Sequence, residues 1–546
     1  MTGSQAANFA KHAETIPAAL RNAVEHWPDK VWLDFSGDRR TFREVDETSN
    51  RIAHGLRRLG VAAGDRVCSI FDNHADGVCA WMAISKLGAV AVPINTAFRG
   101  EFLRHQLADS GGAVVLADAA YVDRILEVAE GAPELRSLVR RGPGDWSWGA
   151  LHPSPFDALI GDDASPIQVE VGPDDLAMLL YTSGTTGPSK GCMIGHRYVC
   201  NMGWQSNRHL GVRHEDVYWT PCPLFHLGAA GGLIGTLQTG SNMSIYPKFS
   251  VSEFWPEMER SRATVVMLLS SMLNFVADAE ETEASRRAFG QVRVIHGVPF
   301  AEDVQATWKR RFGVTYAGAV GYGMTECCSI TLRDLQTPAP PGASGRRFED
   351  FEVMVVDGED NILPDGDVGE IVVRPRRPGI MFQGYWRRPE ATIEVNRNLL
   401  FHTGDIGRLD AEGFLYWMDR KKDYLRRGGE NISSYEMEVA FRAHPDIEDV
   451  AVHAVAAEGP EDEVKVTAML RPNSTLSPEA LCLWSIDRLP AFAVPRFIEF
   501  RTDFPRNGVG RILKYELRRE GVTPSTWDRQ ASTLAVRRRA GKLQSA

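Results

Sequence analysis

Residues 179–191, LLYTSGTTGPSKG, run an apolar stretch into a loop of hydroxyls and glycines closed by one lysine. Such a loop suits phosphate oxygens. Gly184 and its neighbouring glycines let backbone N–H groups approach an anion, Thr182, Ser183, Thr185 and Thr186 add hydroxyl donors, and Lys190 adds positive charge. The spacing excludes an ordinary P-loop: Ser189 precedes Lys190 and Gly191 follows it, so both the Gly-Lys pair and the Ser/Thr that would meet a metal ion are missing. Taken alone, such a string also reads as a Ser/Gly-rich surface turn.

The elements that must hold this loop alternate in type. FREVDETSNRIAHGLRRLG has apolar residues at helical spacing, DRVCSIF reads as a buried strand, ADGVCAWMAISKLG as a helix and AVAVPIN as a strand. ATVVMLLSS and VRVIHGV extend this α/β succession, and the turn-rich VDGEDNILPDGDVGE before IVVRPR marks a β-rich module. Near residue 419 the chain becomes charged and glycine-containing, and Ser433 with Glu436 form a capping box for a helix that stops before Pro445. The expected fold class is α/β, with a large N-terminal domain of α/β subdomains plus the β-rich module over 1–419. A small α+β C-terminal domain follows over 420–530, with a basic tail over 531–546. No internal repeat is visible.

Composition narrows the function classes. The 546 residues carry 61 Lys+Arg against 71 Asp+Glu, a formal charge of -10, which argues against a general polyanion binder and against nucleic acid as partner. The eight cysteines contain no CxxC pair and read as reduced thiols of a cytoplasmic protein. The first thirty residues lack the apolar run of an export signal, and no stretch approaches the roughly 20 apolar residues that span a bilayer.

Further motifs follow in order: KLGAVAVPIN at 86–95, GYGMTE at 321–326, GYWRRPEAT at 384–392, FHTGDIGRLD at 401–410 and DRKKDYLRRGGENISSYEME at 419–438. With the loop at 179–191, they resemble the adenylate-forming superfamily of acyl-CoA synthetases, luciferases and peptide-synthetase adenylation domains, most closely the acyl-CoA ligases. The resemblance covers nearly the whole chain. It implies ATP or AMP (as acyl-adenylate), CoA and Mg²⁺ as cofactors, with Glu326 holding Mg²⁺ and Thr325 touching the α-phosphate within the adenylate-binding segment Tyr322, Gly323, Met324 and Thr325. Tyr322 and the turn Gly297, Val298 and Pro299 would sandwich adenine. Asp405 would accept the ribose hydroxyls, Arg420 would donate to them, and Lys422 would be the hinge of a mobile C-terminal domain. That domain would carry the loop of Gly428, Gly429 and Glu430 for thioester formation, giving one site two successive steps. His226, in PLFHLG, falls where a gate to the acyl pocket is expected, and as a lone histidine it reads equally as packing.

The chain departs from the family at its last motif. A glycine-lysine pair is expected there, and that lysine bridges carboxylate and α-phosphate during adenylation; this chain reads PRNGVGRILK, placing Arg511 at the lysine position and Lys514 three residues on. A forked guanidinium is a poor stand-in for one ammonium among oxygens. Yet 50 arginines against 11 lysines indicate a drift that would replace lysine wherever the exchange is harmless. The leading expectation is an acyl-CoA ligase that keeps thioester formation, with adenylation impaired and the acyl-adenylate supplied by another enzyme. The two other outcomes are that Lys514 serves in place of the lysine and that Arg511 suffices. The alternatives are an ordinary two-step ligase, a non-catalytic acyl-adenylate binder, a domain loading a separate carrier, and a luciferase-like oxygenase. Pocket candidates are 226–232, 270–272, 296–298 and 319–324, whose small residues suggest a bulky apolar acid; the oligomeric state stays open.

Overall fold

The computed structural model describes residues 13–144, 153–182, 188–298, 300–333, 339–420, 425–427, 430–432, 434–456, 462–505, 512, 514–532, 537–539 and 542–544. The fold is mixed α/β, a large N-terminal α/β domain followed by a smaller C-terminal domain. Two seven-stranded sheets dominate the large domain. The first has the order Ser154–Pro155, Ser137–Arg141, Val114–Asp118, Arg66–Ile70, Val90–Pro93, Leu176–Thr182 and Lys190–Gly195, parallel except for the last strand. Val114–Asp118 is buried at every position, as a parallel strand covered by helices on both faces must be. The helix Phe42–Arg58 packs on the helix Ala75–Lys86 and opens with a capping box in which Thr41 and Glu44 satisfy each other's backbone N–H.

The second sheet has the order Tyr316–Gly318, Val294–His296, Val265–Met267, Val217–Thr220, Asn242–Ile245, Val31–Phe35 and Asp38–Thr41. It takes its outer hairpin from the start of the chain: Leu33 stands opposite Met243 in parallel register, and Asp38–Thr41 pairs back antiparallel. Trp32 fixes this hairpin, since its ring stacks on Phe42 at 5.4 Å and its Nε1 donates to Thr236 Oγ1 at 3.0 Å.

The β-rich module is a four-stranded antiparallel sheet of Phe351–Val356, Gly369–Pro375, Phe401–Leu409 and Leu415–Arg420. Beyond it Leu425, Ile432, Met437 and Phe441 join a separate core with Val450, Val466, Leu481 and Ile498. That core is built on Ile447–Ala456, Asp462–Leu470, Phe497–Arg501 and Trp527–Asp528. Phe102, from the large domain's helix Gly100–Ser110, is buried in it, so the smaller domain is docked on that helix. No helix among the described residues is long and apolar enough to cross a membrane.

Candidate active site

The strand Leu176–Thr182 delivers the hydroxyl-rich loop, and the antiparallel strand Lys190–Gly195 takes the chain away, with Thr182 and Lys190 as partners. Ser183, Gly184, Thr185 and Thr186, between them, lie outside the described residues. The segment around Tyr385 pairs with the outgoing strand through Met193 N to Gly384 O at 2.9 Å and Trp386 N to Gly191 O at 2.8 Å, covering an edge that would otherwise present unpaired backbone groups. Tyr385 is thereby set between two charged groups. Its ring carries the Lys190 ammonium at 4.8 Å, and its hydroxyl donates to Glu326 Oε1 at 2.8 Å. The motif GYWRRPEAT carries Tyr385 with no role implied for it; a tyrosine between a glycine and a tryptophan gives no sign of this bridge.

The segment 321–326 links Glu326 to the nucleotide-type residues. Gly323 must lack a side chain, because a Cβ there would fall 1.7 Å from the Cys328 carbonyl oxygen, while Met324 pairs with Cys328. Tyr198 donates to the Thr325 carbonyl at 2.9 Å. The Tyr322 hydroxyl donates to Asp405 Oδ2 at 2.6 Å, a short bond to a carboxylate only 2% exposed. Burial and the adjacent carboxylate together hold the Tyr322 phenol well above its ordinary pKa, so it stays a donor. Asp405 stands opposite Arg420 in the β-rich module. Gly297 closes the strand Val294–His296, with its Cα against the Leu268 carbonyl, where a Cβ would come within 2.2 Å; Val298 beside it is 44% exposed. Pro299 lies outside the described residues, as do Lys422, Gly428, Gly429 and Arg511.

Contacts between the domains complete the site. Glu430, of the smaller domain, accepts from or pairs with His226 Nε2 at 3.1 Å, placing these two sequence-selected residues in direct contact. Burial alone would lower the His226 pKa; the charge and hydrogen bond of Glu430 outweigh it and raise the imidazole above its ordinary value. Glu436 takes the Ser189 N–H at 2.8 Å, so a carboxylate of the smaller domain reaches the last turn before Lys190. Burial holds that carboxyl above the usual range, with the Ser189 hydrogen bonds acting in the opposite sense. Neither Glu436 nor Ser189 was selected for this role, because the sequence offered Glu436 a local partner in Ser433, which lies outside the described residues. Lys514 turns the other way, donating to Ser434 Oγ at 2.9 Å and pairing with Glu438, all within the smaller domain.

The small residues at 228–232 were expected to leave room for a bulky acyl group, and the packing gives them another use. A Cβ on Gly228 would fall 2.5 Å from Met267 Cε, one on Gly232 2.7 Å from the Tyr218 ring, and one on Gly231 3.1 Å from Met202 Cγ. Gly321 is similarly closed by the Thr331 carbonyl at 2.2 Å. These glycines admit protein neighbours, so their size carries no indication of substrate bulk.

Among the described residues no three His, Cys, Asp or Glu side chains gather as a metal cage. One buried carboxylate, Glu326, bonded to the tyrosine whose ring carries Lys190, fits a hard cation that phosphate oxygens and water would mostly hold. The buried Asp405 acceptor, within reach of the segment 321–326, likewise fits a ribose.

Fold and site together define an enzyme that activates carboxylates through nucleotide chemistry, and comparison with known proteins makes this specific. Residues 20–386 match the AMP-binding enzyme family and 436–511 its C-terminal domain, so the chain belongs to the AMP-binding enzymes and is an adenylate-forming ligase. It is 30% identical over 487 residues to the crotonobetaine/carnitine–CoA ligase of Salmonella typhimurium, covering 88% of this chain and 93% of that one. A fatty acyl CoA synthetase from Mycobacterium tuberculosis superposes with a TM-score of 0.65 at 28% identity, over 93% of this chain and 98% of that one. The amide bond synthetase McbA of Marinactinospora thermotolerans has the same fold, with a TM-score of 0.78 at 24% identity, over 92% and 99% of the two chains.

Proposed function

We propose that this ligase forms an acyl-CoA thioester from a carboxylic acyl-adenylate and CoA, and that its own adenylation step is weakened by Arg511. The His226–Glu430 contact carries the reading: it brings Glu430, the residue that follows the two glycines in sequence, to the residue expected at the acyl gate. In the thioester step the CoA sulfur bonds to the acyl carbon while that carbon's bond to the phosphate oxygen breaks. AMP leaves with the electron pair and the thiol proton passes to solvent. Asp405, with Arg420 opposite, would hold the ribose; Tyr322 and 297–299 would flank adenine; Lys190 and the loop 182–186 would bind phosphate. Glu326 would hold Mg²⁺, which neutralises phosphate charge when bound. Gly429 would leave room for the pantetheine arm.

The first half-reaction needs a cation that meets both carboxylate and α-phosphate. Lys514 is engaged with Ser434 and Glu438, which favours Arg511 as the group facing that task. An ordinary two-step ligase remains the second reading, favoured by the 50 arginines to 11 lysines of the chain. The experiment separates the half-reactions. The parent should convert supplied acyl-adenylate and CoA to thioester far faster than free acid, ATP and CoA, and Arg511→Lys should raise ATP–pyrophosphate exchange by roughly 10²-fold with the thioester step little changed. Robust pyrophosphate release by the parent, lost in Lys514→Ala, would refute impaired adenylation.

A further inference from the structure

His226 sits on a short loop that cannot hold itself. Pro221 and Pro223 supply no N–H, so the segment 221–226 lacks two of the donors that would order it, and its own bonds are few: Cys222 N to Thr220 Oγ1 at 3.0 Å and His226 N to Pro223 O at 3.1 Å. Asn73, 8% exposed, supplies what the prolines remove. Its Nδ2 donates to the Cys222 carbonyl at 3.0 Å, with the Pro221 and Tyr246 carbonyls each at 3.4 Å, and its Oδ1 accepts from Leu224 N at 3.2 Å. Carbonyls on one side and an N–H on the other fix which way the amide faces.

Asn73 is itself held by the other sheet. Asp72 N donates to Asp118 Oδ2 at 2.8 Å, and His74 Nε2 lies 3.4 Å from Asp118 Oδ1, so both flanking residues are tied to the end of the strand Val114–Asp118. The loop bearing His226 leaves the strand Val217–Thr220 of the second sheet. One side chain thus spans the seam between two sheets, on the loop whose last residue meets the smaller domain.

We infer that Asn73 is a positioning residue for the thioester step, holding the 221–226 loop so that His226 is presented to Glu430. This rests on the reading that His226 serves that step. A loop left to its prolines would sample several arrangements, and only a fraction would meet Glu430.

The test uses the full chain with supplied acyl-adenylate, which bypasses the first half-reaction. Asn73→Ala removes all the bonds; Asn73→Ser keeps a short polar group that cannot span both partners and is the milder variant. Each should lower kcat of thioester formation at saturating CoA by about tenfold or more, Ser less than Ala, with AMP affinity within threefold of the parent as the check on folding. The His226 ring resonance should titrate lower than in the parent, toward ordinary imidazole, as contact with Glu430 is lost. In a His226→Ala background, Asn73→Ala should have no further effect. Parent-like kcat and an unmoved His226 titration in Asn73→Ala, with His226→Ala impaired, would overturn the positioning role alone. A His226→Ala enzyme working at the parent rate would overturn both this inference and the function assigned to His226.

Discussion

Replacing Asp405 by alanine tests the proposed ribose contact at an almost fully buried carboxylate. The carboxylate is 2% exposed, and one oxygen already accepts the Tyr322 hydroxyl at 2.6 Å. A carboxylate offers about four acceptor positions, enough in principle for ribose hydroxyls beside the Tyr322 bond. Hydrogen bonds to a charged group contribute about 1.5–3 kcal/mol, so Asp405→Ala should weaken AMP binding roughly 10- to 150-fold. The same substitution strands the Tyr322 phenol, a cost of about 1–3 kcal/mol that falls on folding rather than binding. Titration calorimetry with AMP and urea unfolding therefore read two separate losses. Tyr322→Phe removes the phenol and leaves the carboxylate, and its AMP affinity should fall less than fivefold. Unchanged AMP affinity in a folded Asp405→Ala protein would refute the ribose assignment, and a Tyr322→Phe loss as large as that of Asp405→Ala would reassign the effect to the ring.

Two further outcomes follow from titratable pairs. Glu430 raises the His226 pKa, so the docked arrangement gains stability that is fully present below the ordinary imidazole value and lost as pH rises through the raised one; fluorescence transfer between labels on the two domains should report less docking with rising pH, and an unaltered profile in Glu430→Gln would exclude the pair as its origin. In the smaller domain Lys465, 1% exposed, pairs with Glu499 at 2.6 Å, and although burial acts to raise the Glu499 carboxyl, its hydrogen bonds to Lys465, Thr526, Arg501 and Thr523 bring it down to about 2. Its stabilisation is present above the unfolded carboxylate value and lost as pH falls toward about 2; Glu499→Ala should cost about 3 kcal/mol or more by leaving the buried ammonium with the Gly521 carbonyl but no counter-charge, and urea unfolding indistinguishable from the parent would refute the pair's importance.

Much of the architecture was legible because it depends on local pattern. FREVDETSNRIAHGLRRLG carries its helix in its periodicity, and the apolar run before Thr182 carries its strand; ordered motifs then pointed to the family. What the sequence could not supply were partners distant along the chain. Nothing in PLFHLG distinguishes a packed histidine from one facing Glu430. Lys514 read as a spare cation because its commitment to Ser434 and Glu438 depends on how the helices Ser434–Arg442 and Lys514–Glu520, far apart in sequence, pack. The glycines at 228–232 looked like empty volume, since a one-dimensional string shows the missing Cβ and not the Met267 or Tyr218 atoms that occupy its place. Asn73 escaped notice for the same reason, as its partners begin at Pro221.

The hairpin of Val31–Phe35 and Asp38–Thr41 bears on biosynthesis. Val31–Phe35 emerges from the ribosome long before Asn242–Ile245, the strand that Leu33 and Asp34 pair with in parallel. At about 5–20 residues per second the wait is roughly ten seconds or more. Throughout it Trp32 and Leu33, both fully buried in the finished protein, have no second sheet to enter, although the strands from Arg66–Ile70 onward are already available to one another. A nascent chain stalled before Asn242 therefore displays an apolar β-segment with no sheet partner, which is the kind of segment a holdase chaperone binds.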